Sequence, residues 1–355
     1  MADQIRVGIL GAGAAGTGHA TAFSQLPGVE ITALWSRTRA RAEGLAGQLH
    51  LDGATVYGDW QALIERAEVD VIGVATPEFF RREPVAAALE RGCHVLVEKP
   101  ISVELADAQE MVRLAEAAGT VTATCLVWRY SPGTQVALRE VQAGRIGRLL
   151  DTQMEWRLRA PPRLVIEARP YFAEAATGLL GGGGSHEFDR ARYFSGCEFV
   201  RIVGRVLPCS RDREPEYVLP CSVYMLLAEL TDGLLGQFRY TFTSGQPEWS
   251  ALLHGDEGTL HVTHQEVIRQ CGDEDEAVSL DIPASERVPE GLRMGQHVWN
   301  RLIADFITAV RRGDVDHTSV PHLPTLVDGL RAQEVIDAAM RSEAERRWVE
   351  VRQEF

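Results

Sequence analysis

Residues 5–20 read IRVGILGAGAAGTGHA, and the architecture of the chain follows from them. Ile5–Leu10 is a short apolar run of strand type, and Gly11, Gly13 and Gly16 follow it in the spacing GxGxxG. The small and apolar residues beyond, Ala20, Ala22, Phe23 and Leu26, suit a helix that ends near Pro27-Gly28. Strand, glycine turn and helix in this order form the dinucleotide fingerprint: glycine allows a tight turn and close backbone approach, and the helix N-terminus holds a pyrophosphate. Gly11, Gly13, Ala14, Ala15 and Gly16 are therefore expected to touch a dinucleotide.

Outward from the turn, strands and helices alternate. A second strand runs over Val29–Trp35, and an NAD enzyme usually carries Asp or Glu at its end to bind the ribose hydroxyls. Here the chain offers Ser36, Arg37, Thr38 and Arg39, with Arg41 close behind. A small hydroxyl followed by arginines suits a 2′-phosphate better, so NADP is favoured over NAD, with Ser36, Arg37 and Arg41 as its contacts. Asp59 is expected to cap a helix reaching Arg66. Val69–Ala75 is nearly continuous in apolar residues, the mark of a parallel strand covered on both faces. It leads into Thr76-Pro77, so Ala75, Thr76 and Pro77 are placed at its carboxyl end. A helix over Pro84–Arg91 precedes the strand His94–Val97, which delivers Glu98-Lys99-Pro100. Ser102 is expected to cap a helix reaching Gly119, and Val121–Leu126 closes the sheet. A count near six strands with five helices between them makes a doubly wound α/β domain ending near residue 127. Ligands bind outside the carboxyl ends of such strands, so Glu98 and Lys99 join the expected cofactor contacts.

Lys99 is the only lysine among 36 basic residues. Arginine stays charged at any accessible pH, whereas a lysine amine is tuned by burial and neighbouring charge until it exchanges protons near neutrality. The single lysine is accordingly read as a proton-handling group.

The bulk properties bound the rest. A length of 355 residues exceeds the ~250–300 that one core usually supports, so a second domain, 128–355, is expected. A net charge of −14 with no basic patch argues against a nucleic-acid partner. MADQIRVGIL lacks the basic flank and cleavage site of a signal peptide, and no apolar run approaches the ~20 residues of a membrane span. Six cysteines (Cys93, Cys125, Cys197, Cys209, Cys221 and Cys271) are scattered without zinc-like spacing. They read as small core residues of a cytoplasmic protein with no metal.

The chain resembles the glucose–fructose oxidoreductase, inositol dehydrogenase and MocA-like (Gfo/Idh/MocA) family of NAD(P)-dependent oxidoreductases. The resemblance rests on GAGAAGTGHA (11–20), VATP (Val74–Pro77), ALERGCHVLVEKP (Ala88–Pro100) and WRYSP (Trp128–Pro132). It continues through GRIG (Gly144–Gly147), GSHEFD (Gly184–Asp189), GDEGTLHV (Gly255–Val262) and GLRAQEVIDAAMRS (Gly329–Ser342).

In the second domain Leu150–Arg159 alternates between apolar and polar residues, as a half-exposed antiparallel strand does. Similar alternation recurs near Val223–Glu229 and Leu235–Phe242, with shorter candidates at Phe199–Val206 and Gly258–Thr263. A large, mostly antiparallel open sheet in an α+β domain is the expected fold. The resemblance implies that its uncovered face carries the oligomer contact, as a homodimer or homotetramer. Helices are expected over His297–Arg312 and about Thr325–Ser342, at least one packing back near the first domain. Ser185 is expected to cap a helix Glu187–Phe194, with His186 in its first turn and biased toward its neutral form by the helix dipole.

The resemblance implies that His186 meets the nicotinamide and the substrate hydroxyl. It also implies an aspartate where this chain has Gly182; Glu167, Glu174, Glu187 and Asp189 are the nearby carboxylates that would compensate. The implied reaction transfers a hydride between nicotinamide and a secondary alcohol or ketone of a sugar, sugar derivative or cyclitol, with Lys99 and His186 handling the proton. Glu98 is read as structural rather than as a base, and a cis Lys99–Pro100 bond fits such a site. Trp128, Arg129, Arg157, Arg163, Tyr171 and Gly182 are the candidates for the substrate side. Two other classes stay open: a non-redox lyase or glycosidase that recycles its NAD(P) internally, and a nucleotide-binding homologue weakened by Gly182.

Overall fold

The central strand β1 (Ile5–Leu10) is apolar on both faces, and Val7, Ile9 and Leu10 are shut off from solvent. That pattern admits parallel partners on each side. They are β2 (Val29–Trp35) and β4 (Val71–Val74), flanked by β3 (Thr55–Val56), β5 (His94–Val97) and β6 (Thr122–Thr124). The order is β3-β2-β1-β4-β5-β6, parallel throughout. Helices α1 (Ala14–Ser24), α2 (Arg39–Gln48), α3 (Trp60–Arg66), α4 (Arg82–Glu90) and α5 (Leu105–Ala118) fill the five crossovers. The strand order reverses between β1 and β4, where doubly wound folds bind their ligands. Asp59 caps α3 by accepting from the Ala62 amide at 2.6 Å, and Gly119 closes α5 in the left-handed conformation, φ 61°. Ser102 does not cap α5 as expected. The helix starts after Glu104, and the Ser102 hydroxyl donates to the Glu104 carbonyl at 2.7 Å.

The structure, a computed structural model, describes residues 4–158, 178, 180–210, 218–241, 248–272 and 277–353. It forms two compact units: Met1–Val127 with Glu290–Leu330, and Trp128–Pro289 with Arg331–Phe355. The first unit thus takes in a distant segment that carries α8 (Met294–Arg312), which the sequence reading assigned to the second half. An α-carbon hydrogen at Gly18 lets the Trp299 ring of α8 lie directly on α1, since a Cβ there would fall 2.4 Å from the ring. The Gln296 side chain also donates to the Gly18 carbonyl at 3.1 Å. Helix α9 (Leu326–Glu345) is divided between the units. Leu326 and Leu330 join the core of the first, with Ile72, Val74, Val95 and Met111.

The second unit begins with α6 (Pro132–Gln142) and is built on nine strands: β7 (Leu149–Arg157), β8 (Phe199–Ser210), β9 (Val218–Leu230), β10 (Leu235–Thr241), β11 (Glu248–Gly255), β12 (Gly258–Thr263), β13 (Val267–Cys271), β14 (Val278–Leu280) and β15 (Val349–Glu350). Their order is β14-β13-β12-β11-β7-β10-β9-β8-β15. All neighbours are antiparallel except β7 and β10, which are parallel. Alternation sorts the faces. Tyr224, Leu226, Ala228, Phe238 and Tyr240 point into a core shared with Phe188 and Phe194 of α7 (Ser185–Ser195) and Val335 and Ile336 of α9. On the opposite face Met225, Leu227 and Leu235 are 56%, 51% and 54% exposed. Among the described residues no helix is long and apolar enough to cross a membrane.

Candidate active site

The glycine turn has the three properties that a bound pyrophosphate requires. Gly11 sits at φ +110°, and a Cβ there would lie 2.6 Å from the Ala75 carbonyl oxygen. A Cβ on Gly16 would fall 1.9 Å from the Gly11 carbonyl oxygen, so α1 can pack against the turn only as glycine. A Cβ on Gly13 would meet nothing within 4 Å, which leaves the backbone open on the side where α1 begins with Ala14 and Ala15. Two glycines therefore serve packing and the third leaves room, and the turn fits a dinucleotide phosphate at a helix N-terminus.

At the end of β2 the Trp35 carbonyl accepts from the Gly11 amide at 2.8 Å, holding the start of the next segment beside the turn. Ser36 is partly buried there, while Arg37 and Arg41 are exposed and have no ion pair among the described residues. Arg39 is engaged by Glu43 at 2.7 Å. Two uncommitted guanidinium groups at this edge suit a second phosphate.

The end of β5 is the most heavily built part of the unit. Glu98 is buried, and its Oε1 faces His19 Nε2 at 3.1 Å and accepts from the Trp299 indole at 3.3 Å. Its Oε2 accepts from the Lys99 amide at 3.1 Å. Burial alone would push this carboxyl up; the His19 hydrogen bond and charge, then Lys99 and Arg81, outweigh it and hold Glu98 at about 2. Cys125 Sγ lies 3.3 Å from the same His19 nitrogen, and burial followed by the Glu98 charge pushes its thiol far up, so it stays neutral. Arg81 closes the group from below. Its Nε donates to the Thr76 carbonyl at 2.8 Å, and its Nη1 donates to the Glu98 carbonyl at 2.8 Å and to the Pro100 carbonyl. Thr76 is buried, with its hydroxyl on the Phe80 carbonyl at 2.9 Å. Lys99 itself is partly exposed, and its bond to Pro100 is cis. Burial lowers its amine below the ordinary lysine range; Glu98 opposes that and Arg81 adds to it.

In the second unit, α7 does not begin at a capped Ser185. The helix runs on backward through a π turn, Leu180–Gly184, and the Ser185 hydroxyl bonds back to the Gly181 carbonyl at 2.7 Å. His186 thus lies inside a continuous helix and not at a free N-terminus, which removes the dipole argument for its neutrality. It is buried, with the Trp128 and Trp156 rings at 6.3 and 6.1 Å. The glycines have separate physical reasons. A Cβ on Gly183 would strike the Tyr240 ring at 2.3 Å, whereas one on Gly182 would meet no described residue within 4 Å.

Beside His186, His264 is sandwiched between Trp128 at 4.1 Å and Trp249 at 4.8 Å. Burial and the Arg190 charge hold its imidazole well below the usual histidine range. Arg190, wholly buried, lies 3.5 Å over the Trp249 ring and pairs with Glu187 at 2.5 Å. Trp249 donates to the other Glu187 oxygen at 3.0 Å. Asp189 is held by both nitrogens of the Arg129 fork, at 2.9 and 2.5 Å. Glu187 and Asp189 are therefore engaged in the structure of α7. Arg129 is buried in this pair, and Arg157 is engaged by Glu248 across β7 and β11. Glu167, Glu174, Arg163 and Tyr171 lie outside the described residues.

The family comparison agrees with both halves of this construction. The profile described as "Oxidoreductase family, NAD-binding Rossmann fold" matches residues 5–125, and its companion, "Oxidoreductase family, C-terminal alpha/beta domain", matches 139–351. The chain belongs to the Gfo/Idh/MocA oxidoreductase family. Similar relatives include an inositol 2-dehydrogenase of Streptomyces avermitilis, 26% identical over 97% of this chain and 93% of that one. A D-glucoside 3-dehydrogenase of Escherichia coli is 32% identical over 57% of each. A levoglucosan dehydrogenase of Pseudarthrobacter phenanthrenivorans is 26% identical, the match spanning 56% of this chain and about half, 53%, of that relative. Among solved structures, a levoglucosan dehydrogenase in complex with NADH and levoglucosan superposes with a TM-score of 0.86 at 21% identity, over 98% of this chain and all of that one.

Within this Gfo/Idh/MocA frame, the glycine turn, Ser36, Ala75–Pro77 and Glu98–Lys99 gather at the carboxyl edge of one parallel sheet. Sequence reasoning missed Arg81, His19 and Trp299. HATAF and VWN carry no chemical motif, and Arg81 reads as one more arginine in an arginine-rich chain. It also missed His264, whose role comes from two tryptophans that neighbour it only in space.

Proposed function

We propose that this protein is an NADP-preferring dehydrogenase or reductase that interconverts a secondary alcohol and a ketone on a sugar, sugar derivative or cyclitol, with Lys99 and His186 handling the proton. The names of the relatives, which act on an inositol, a glucoside and levoglucosan, support the substrate class. Lys99 is the observation that carries the reading. It is the sole lysine, it stands at a strand end on the same sheet edge as the glycine turn, and burial lowers its amine.

A bound nicotinamide supplies the carbon that exchanges hydride. Gly11, Gly13 and Gly16 bind the pyrophosphate, and Ser36, Arg37 and Arg41 take the 2′-phosphate. Ala75, Thr76 and Pro77 line the same edge. Lys99 hydrogen-bonds the reacting oxygen, and His186 passes the proton, a service typically worth ~10²–10⁴ in rate. Trp128 and Gly182 are the remaining described candidates for the substrate side; Arg129 and Arg157, already engaged by Asp189 and Glu248, are demoted.

The exposed apolar residues Met225, Leu227 and Leu235 support self-association through the open sheet face, as a dimer or tetramer. Buried thiols at Cys93, Cys125 and Cys197 support a cytoplasmic setting.

The test is fluorescence titration with NADP(H) and NAD(H), followed by a polyol and glycoside panel read by nicotinamide absorbance, on wild type and Lys99→Ala. NADPH binding with Lys99-dependent turnover is the expected result. Tight cofactor retention with product formed but no net absorbance change points to the non-redox enzyme instead. Binding without any turnover points to the weakened homologue.

A further inference from the structure

Arg81 has no part in the reaction as drawn, yet it is tied to the Lys99 segment on both sides of the lysine. It stands between the short 3₁₀ turn Glu78–Phe80 and α4, and it is buried. Its guanidinium bonds three carbonyls and reaches two strand ends: Thr76 after β4, and Glu98 and Pro100 after β5. The last two immediately flank Lys99. A group required only to close a loop would be satisfied by neutral donors. Arginine instead brings a charge that no accessible pH removes, placed in a region shielded from water where charges act strongly.

We propose that Arg81 is the positioning residue for Lys99: it clamps the ends of β4 and β5 together and holds a fixed positive charge on the carbonyls either side of Lys99, in the region where its amine exchanges a proton.

Among the described residues, the other groups acting on that amine include Glu98 on its own segment, Glu78 on the 3₁₀ turn and Cys125 after β6, with His19 of α1 acting through Glu98. The two carboxylates favour the protonated amine, and the neutral Cys125 thiol contributes no charge. Arg81 is the cation of the set, so without it the carboxylates dominate and Lys99 holds its proton to higher pH. Lysine at position 81 retains the charge and part of the clamp; glutamine retains donors alone.

The inference rests on Lys99 being the proton-handling group, and the two ideas fail separately because Lys99 can be watched without turnover. It is the only lysine of the chain, so full-length protein made with isotope-labelled lysine gives one side-chain ε resonance. In wild type its titration midpoint is expected below the ordinary ~10.4. In Arg81→Gln it is expected to rise by about one pH unit, with the pH–rate profile displaced in the same direction. Arg81→Lys is expected to titrate as wild type. An unmoved midpoint in Arg81→Gln overturns the proposal, as do equal displacements in the glutamine and lysine variants. Should Arg81→Gln not fold, a wild-type midpoint at or above the ordinary value overturns it alone. Full turnover by Lys99→Ala would instead sink the catalytic reading and leave the resonance result standing.

Discussion

His19 Nε2 and Glu98 Oε1 lie 3.1 Å apart, so the helix that follows the glycine turn is joined, in a buried contact, to the strand end that bears Lys99. The glycine turn and the Lys99 segment therefore share one buried support. Trp299, from a segment far along the chain, donates to the same oxygen.

Glu98→Gln tests that support. The carboxyl is held at about 2 against an ordinary 4.5, so its ionised form stabilises the fold above pH ~4.5 and loses this effect as pH falls toward 2. At neutral pH the variant is expected to be less stable by ~2–3 kcal/mol. Urea unfolding at a series of pH values should show the gap between wild type and variant closing on the acid side. A pH-independent gap would contradict the assignment.

The glycines of the turn separate packing from binding. Gly16→Ala is expected to cost ~1–3 kcal/mol of stability, because its methyl would overlap the Gly11 carbonyl. Gly13→Ala has room, so its melting temperature should match wild type while dinucleotide affinity falls roughly tenfold through lost approach to the phosphate. Calorimetry and fluorescence titration on both variants decide this; loss of stability in Gly13→Ala would refute it.

Arg37→Ala and Arg41→Ala are each expected to weaken NADP binding by about tenfold, since a charge-assisted bond to phosphate is worth ~1.5–3 kcal/mol before solvent screening. NAD binding should hardly change, and added salt should shrink the difference. Tighter binding of NAD than NADP by wild type would overturn the cofactor preference.

His264 is expected to stay neutral in the folded state at every working pH. Because its folded pKa is depressed, the unfolded chain takes up the proton first, and stability falls as pH drops below ~6.5. His264→Phe keeps a ring between Trp128 and Trp249 and should flatten this acid limb in thermal melts. An unchanged limb would show that the imidazole titrates normally.

Met225→Glu combined with Leu227→Glu places like charges on two neighbouring exposed positions of β9. Light scattering is expected to report an oligomer for wild type and a monomer for the double variant, with the isolated fold retained. A wild type that is monomeric at high concentration removes the sheet face as an interface.

The nucleotide-binding unit was largely legible because its strands are short continuous apolar runs separated by helices, and because GxGxxG has one dominant structural use. Lys99 stood out by composition. In the second unit β7, β8, β9, β10 and β12 were visible through alternation, and β11 was not. β13, β14 and β15 were not, since strands of 5, 3 and 2 residues owe their existence to pairing partners and not to any pattern of their own. The start of α7 misled because Ser185 ahead of the helix reads as an N-cap, whereas packing of Gly183 on Tyr240 and the Ser185 back-bond carry the helix back through the glycines. Arg81 and Trp299 were invisible for another reason: their partners are backbone carbonyls and a carboxylate brought close only by folding, 201 residues away in sequence for Trp299.

The segment Glu290–Leu330 also orders events in time. A ribosome releasing the chain from its N-terminus delivers all six strands of the parallel sheet within the first 124 residues. It supplies Trp299, Leu326 and Leu330 only after the whole nine-stranded sheet except β15 has emerged. The half that is synthesised first is thus completed nearly last, and a nascent chain arrested after β6 holds a cofactor fold whose Glu98 still awaits its indole.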